Sequence, residues 1–322
     1  MARGPRTTAL LGLLAALTCA GAAAGADRHL PRTPSGAPDL QGLWSNASLT
    51  TLERPARFSA LVIPEAEAKA FEAAHDGVPG VVGGDVGQGE TEWWEMGPTL
   101  GRIDGEARSS WVTEPADGRL PFSPEGRRNL QARQAMMMSN FDGPELRPAA
   151  ERCLAGVGGT SAPPMLNTGY NNHIQIVQTP EHVVIVTEMN HDARIIPLKP
   201  EPASPGASWL GHSVGRWEGD TLVVETTGFH PGSAWRTPSP LYISAEGRVT
   251  ERFTRVSRDE IRYAFRVEDP STYSRPWRAE MPFRRTAGPM YEFACHEGNY
   301  SLSGVLAGGR QKEREAAAGS PK

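Results

Sequence analysis

From His173 to Glu268 short apolar runs recur every few residues, and turn residues separate them. His173–Gln178, His182–Met189, Thr221–Thr227, Arg248–Val256 and Glu260–Glu268 are β-branched or alternating stretches of strand length. Met290–Cys295 reads the same way. Glu218-Gly219-Asp220 joins Val214–Trp217 to Thr221–Val224, a strong hairpin signal, and Ser257-Arg258-Asp259 joins the next pair. No 10–15-residue helical pattern separates these strands, which argues against a parallel α/β sheet. The pattern predicts a mainly β fold: an antiparallel barrel of lipocalin-like or calycin-like type, or a sandwich, with N-terminal helical and loop decoration. Residues 166–308 form the expected antiparallel core, and residues 309–322, charged and Ala/Gly-rich, a disordered tail.

Residues 27–165 read as an N-terminal extension whose short helices pack on that core. Leu40–Asn46 suits a short strand anchored by Trp44. Pro64 opens a helical run with acids in its first turn, and Ser123-Pro124-Glu125 starts another that reaches about Met138. Residues 76–91 hold six glycines without a phosphate-binding spacing and read as a surface loop.

The first 26 residues read as a signal peptide. Arg3 and Arg6 precede an apolar stretch, and Ala24-Gly25-Ala26 offers a small-residue cleavage site. The run is too short to favour a retained membrane anchor. Its removal shifts the formal charge from −4 to −6, which argues against a nucleic-acid partner. It leaves Cys153 and Cys295, an even pair that an oxidising compartment would join in a disulfide; two separate buried thiols are the alternative. The Ala/Gly/Arg-rich leader suggests a bacterial periplasmic or secreted protein. Asn46-Ala47-Ser48 is a formal glycosylation acceptor, relevant only in a eukaryotic host.

Strand alternation places Glu188, Glu225 and Glu251 among apolar neighbours, with Arg194, Arg216, Arg278 and Arg284 as available partners. An equally good face, Leu222, Val224 and Thr226, would leave Glu225 in water. Six of the eight histidines lie from residue 173 onward. His191, His212 and His296 fall at strand ends or beside hairpins, where a rigid scaffold presents functional groups. They are the candidate proton-transfer residues, with Asp192, Glu225 and Glu297 as orienting carboxylates or alternate acids. Arg216 and Arg278 would hold substrate anions, and Tyr170, Asn172 and Trp277 would line the binding site. The same groups could furnish a divalent metal site, although no specific metal-ligand spacing occurs and no cofactor is expected. Structural or surface histidines are the plain alternative.

The stretches GRWEGDTLVVETTGF (215–229), VTERFTRV (249–256) and RPWRAEMPFRRTAGPMYEFACHEGNYSLSGVLAG (275–308) resemble a group of exported bacterial hypothetical proteins. So do PDLQGLWSNASLTTLERP (38–55) and NNHIQIVQTPEHVVIVTEMNHDARIIPL (171–198). The resemblance covers most of the chain and implies a shared exported fold without naming a reaction. The functional expectation is an exported enzyme acting on a small molecule by histidine–carboxylate acid–base chemistry, as a hydrolase, lyase or isomerase. A periplasmic binding or carrier protein and a structural envelope protein are the rivals.

Overall fold

A computed structural model describes residues 1, 30–75, 95–156, 161, 163–199, 206–233 and 241–319. All but the first residue of the expected leader, and the whole of the 76–91 loop, lie outside these residues. In chain order the elements are β1 (Gly42–Ser45), β2 (Val62–Ile63), α1 (Glu65–His75), β3 (Arg102–Ile103), β4 (Glu106–Arg108), β5 (Val112–Glu114) and α2 (Pro124–Ser139). Then come β6 (His173–Gln178), β7 (His182–Thr187), β8 (Ala193–Pro197), β9 (His212–Glu218) and β10 (Thr221–Thr227). The last are β11 (Arg248–Arg255), β12 (Glu260–Glu268), β13 (Trp277–Arg285) and α3 (Tyr300–Gly319).

The fold is mainly β. Nine strands pair antiparallel in the order β8-β7-β6-β1-β13-β12-β11-β10-β9, and β5 adds to β13. The two end strands, β8 and β9, come against each other, so the sheet curls into a nearly closed barrel. An odd number of strands cannot alternate direction all the way round a ring. The mismatch falls between β8 and β9, which run the same way and share no ladder among the described residues. Strands running the same way need a connection of a dozen or more residues, and 14 residues of sequence separate β8 from β9.

Side chains close this seam. Gly215 of β9 packs closely against β8: a Cβ there would sit 3.0 Å from the Ile196 side chain and 3.2 Å from that of Leu198, so both would have to shift slightly. Arg194 of β8 reaches inward across the seam. It makes a bidentate pair with Glu251 of β11 and donates to Ser213 of β9. The Tyr263 hydroxyl donates to the same carboxylate at 2.7 Å and accepts the Met165 N–H at 2.9 Å. Arg194 and Glu251 are 2 % and 0 % exposed, so each charge depends on the other for its solvation. Burial, then the Glu251 charge, pushes the Tyr263 hydroxyl well above its ordinary range and keeps it a donor.

Around this network the inner faces of the strands supply Ile174, Ile185, Leu222, Val224, Phe253, Phe283 and Trp277. Trp44 is also fully buried; its indole donates to the Leu40 carbonyl, and Arg285 lies over the ring at 4.7 Å. The alternative face of β10 is the inner one: Leu222, Val224 and Thr226 are buried. Glu225 lies outside, paired with Arg216 and Arg248.

The extension is less separate than expected. β1 and β5 belong to the barrel sheet itself. β2, β4 and β3 form a small sheet of their own, and Leu49, Phe58, Ile63, Ala68, Leu100 and Ala107 make a second apolar cluster beside it. α2 begins where Ser123 caps it, its hydroxyl accepting the Gly126 N–H. Gly126 is required there, because a Cβ would come 2.0 Å from the Thr272 carbonyl oxygen.

Two expectations fail at the C-terminus. Met290–Cys295 is not a strand, because among the described residues no strand pairs with it; Tyr291 is 67 % exposed. Residues through Gly319 are helical in α3, not disordered, as the Ala-, Glu- and Arg-rich composition permits once a helix has started. Cys153 and Cys295 are joined in a disulfide, tying the loop after α2 to the chain before α3. Asn46 of the formal acceptor triplet is 2 % exposed, so folding covers it. Among the described residues no helix is long and apolar enough to cross a membrane.

Candidate functional site

The outer surface of β6 and β7 carries a second buried charge pair. Alternation along β6 turns Ile174 and Ile176 inward and leaves His173, Gln175 and Val177 outside. Thr187 is the last inward residue of β7, and Glu188 follows it on the outer side. His173 Nδ1 and Glu188 Oε2 lie 3.0 Å apart. The same oxygen accepts the His173 backbone N–H at 3.4 Å, and Oε1 accepts the Tyr291 N–H at 2.8 Å. Glu188 returns its own N–H to the His173 carbonyl.

These groups sit on the outside of the sheet yet are buried, since other segments cover them. The loop after β13 crosses β1, with the Thr286 N–H on the Leu43 carbonyl, and brings Tyr291 over Glu188. Asn172 ties down the other side: its amide donates to the Glu95 and Thr168 carbonyls and accepts the Thr168 N–H. This places the Glu95 carboxylate 4.0 Å from His173 Nδ1. His173 and Glu188 side chains are 7 % and 2 % exposed.

Local backbone strain surrounds the pair. Among the described residues five non-glycine residues have positive φ: Asp104, Cys153, Asn171, Asn190 and His191. The last three lie within three residues of His173 or Glu188. Asparagine tolerates this conformation, but histidine does so at a cost, and such strain gathers at functional sites.

Electrostatically the pair is complementary. The hydrogen bond to Glu188 raises the His173 pKa above its ordinary value; burial opposes this, and the Glu188 and Glu95 charges add to it. Burial disfavours the Glu188 carboxylate, but the His173 ring and the Tyr291 amide more than offset it, so its pKa lies below the usual range. With Nδ1–H given to Glu188, Nε2 is the basic atom. Nε2 has no hydrogen-bond partner among the described residues. A carboxylate-held imidazole with one open nitrogen can accept and return a proton near neutral pH.

The structure does not gather the histidines singled out from the sequence. His191 is exposed in the turn after β7, and the neighbouring Asp192 instead accepts from the Gly156 N–H and the Asn190 amide. His212 starts β9, with Nε2 2.9 Å from the Gly206 carbonyl oxygen. His296 and Glu297 are exposed after the disulfide. No hydrogen bond or ion pair joins any two of His191, His212 and His296 among the described residues.

The expected anion-binding arginines are engaged on the surface: Arg216 with Glu218 and Glu225, Arg278 with Glu114. Trp277 is 0 % exposed and packs on Phe265 and Tyr273 as core. Tyr170 is half-buried, its carbonyl accepting from Thr168. Asn172 does adjoin the site, but as a positioning group. Among the described residues no three His, Cys, Asp or Glu side chains gather as a metal site.

His173 and Glu188 were overlooked as a pair because fourteen residues of hairpin separate them. Antiparallel registry carries the signal: Ile174 pairs with Thr187, so the residues just before and just after them are neighbours. The sequence matches no protein-family model, and no curated protein matches it.

Proposed function

We propose that this chain is an exported enzyme that acts on a small molecule by acid–base chemistry, with Nε2 of His173 as the atom that moves the proton. The carrying observation is the buried His173–Glu188 pair, held by the Tyr291 amide, with one ring nitrogen uncommitted. Glu188 fixes the tautomer and stabilises the imidazolium, and Glu95 adds negative charge. Hydrolysis, elimination and isomerisation all use such a group. The Cys153–Cys295 disulfide and the apolar leader support a bacterial periplasmic or secreted location.

Diethyl pyrocarbonate acylates an unprotonated, accessible imidazole nitrogen. His173 is expected to react with a pH midpoint above that of an ordinary histidine, and Glu188→Gln should lower the midpoint. On a panel of activated esters and small elimination substrates, His173→Gln should lose roughly 10²–10⁴-fold in rate. An unreactive His173 beside reactive His191 and His296, or turnover unchanged in His173→Gln, overturns the reading.

A second reading, a small-molecule carrier, is favoured by a separate cleft built from the α2 region.

A further inference from the structure

Where α2, the loop after it, the approach to β9 and the turn after β10 meet, they leave a cleft of about 310 Å³. That is at the small end of ligand pockets, which run to ~1,000 Å³. Its floor is apolar: Met136 and Met137 come from α2, and Leu146 from the following loop. One wall is aromatic. Trp209 and His230 lie face against face, 4.1 Å between centroids at 31°. Gly232 donates its N–H to His230 Nδ1, and its backbone passes so near that a Cβ would lie 3.1 Å from the Trp209 ring.

The cations of the cleft are of two kinds. Arg147 is spent: it pairs bidentately with Glu151 and donates to the Met137 carbonyl. Arg133 and Arg152 are open. Arg133 lies over the Tyr242 ring at 5.7 Å, and the Arg152 guanidinium has no hydrogen-bond or ion-pair partner among the described residues. Both are half-buried, so their charges are less screened than those of surface arginines. Glu145 also lines the cleft and, with Glu151, offsets two of the three cations. The balance suits one negative charge rather than two.

We propose that this cleft binds a small planar organic monoanion, an aryl carboxylate, with its ring against Trp209 and its carboxylate between Arg133 and Arg152. A guanidinium matches a carboxylate with two parallel N–H donors, and the methionine floor adapts to a flat apolar body. The site is independent of the His173 reading, because it uses none of the same residues.

Calorimetric titration of the purified protein with 2-naphthoate tests this. Saturable one-to-one binding is expected at millimolar concentration or below. Naphthalene-2-methanol, which lacks the charge, and 2-naphthyl phosphate, which carries too much, should each bind at least roughly tenfold more weakly. Arg152→Gln and Arg133→Gln should each weaken 2-naphthoate by a similar factor, and Arg216→Gln on the barrel exterior should leave it unchanged. Trp209→Leu should weaken 2-naphthoate and naphthalene-2-methanol alike. Should an arginine variant fail to fold, the neutral probe and Trp209→Leu still decide. His173→Gln should bind 2-naphthoate as the unaltered protein does, which separates failure here from failure of the acid–base reading. No saturation, equal affinity for the neutral alcohol, or unaltered binding in folded Arg133→Gln and Arg152→Gln proteins would each overturn the proposal.

Discussion

Arg194–Glu251 inside the barrel and His173–Glu188 outside it are both buried charge pairs, yet they are built to opposite ends. The inner pair is bidentate, and Tyr263 and Ser213 take up further valences. It spans the seam between β8 and β9, which share no ladder among the described residues, so its work is closure. The outer pair uses one ring nitrogen and leaves the other open, under a cover drawn from loops. A buried pair whose hydrogen bonds face inward is a clasp; one with an uncommitted basic atom is a reagent.

The largest expected effect breaks the inner pair alone. Glu251→Leu leaves Arg194 buried and uncompensated, and should cost ~3–5 kcal/mol by urea denaturation. Adding Arg194→Met should recover most of that loss, since an apolar pair of similar volume needs no partner. A single variant as stable as the unaltered protein would end the contrast. Next comes the disulfide. Replacing Cys153 and Cys295 by Ala should cost ~2–4 kcal/mol, the usual effect of a native cross-link. Because Cys295 follows Tyr291 closely, the same change should move the His173 midpoint back towards 6.5, its ordinary value, without altering the inner pair.

Glu188→Gln should cost ~1–3 kcal/mol, as a charged acceptor of three donors is lost. The NMR titration midpoint of His173 should fall with it. The pH dependence has a definite sign. His173 is raised in the folded state, so its contribution is complete below 6.5 and disappears as pH climbs through the raised value. Glu188 is lowered, so its contribution is complete above the ordinary 4.5 and disappears as pH falls through the folded value. The difference in stability between the unaltered protein and His173→Gln should therefore shrink above neutral pH. The smallest effect belongs to Glu225→Ala, a solvent-exposed ion-pair partner, at ~0–1 kcal/mol.

Most of the barrel was legible because its strands alternate and its hairpins carry Gly and Asp. β13 was not. Trp277–Arg285 contains Pro282, which argues against a central strand. It is accommodated because β5 pairs β13 only at Arg278 and Ala279, and β1 only at Arg284 and Arg285. Pro282 stands in the gap, where β13 has one ladder neighbour and a missing N–H costs little. β8 was missed for its shortness, although its Arg194 was rightly named as a partner for a buried glutamate.

The site was harder to read. Strand-end histidines next to acids in sequence proved to lie in exposed turns, His191 at positive φ and His296 just after the disulfide. The pair that does meet, His173 with Glu188, is adjacent only across a ladder. The cleft of Arg133, Arg152 and Trp209 draws on three segments far apart in the chain, and no local spacing announces it.

The odd ninth strand also sets the order of events during synthesis. β1 is made early, but it lies between β6, encoded midway, and β13, near the end of the chain. Until β13 arrives, the growing chain holds two separate ladders, β8-β7-β6-β1 and β12-β11-β10-β9, each with bare edges. Such late, long-range closure is slow and exposes unpaired strands while it waits. The strand that joins the two ladders therefore makes the stretch from β1 through β13 the smallest unit that can complete the sheet.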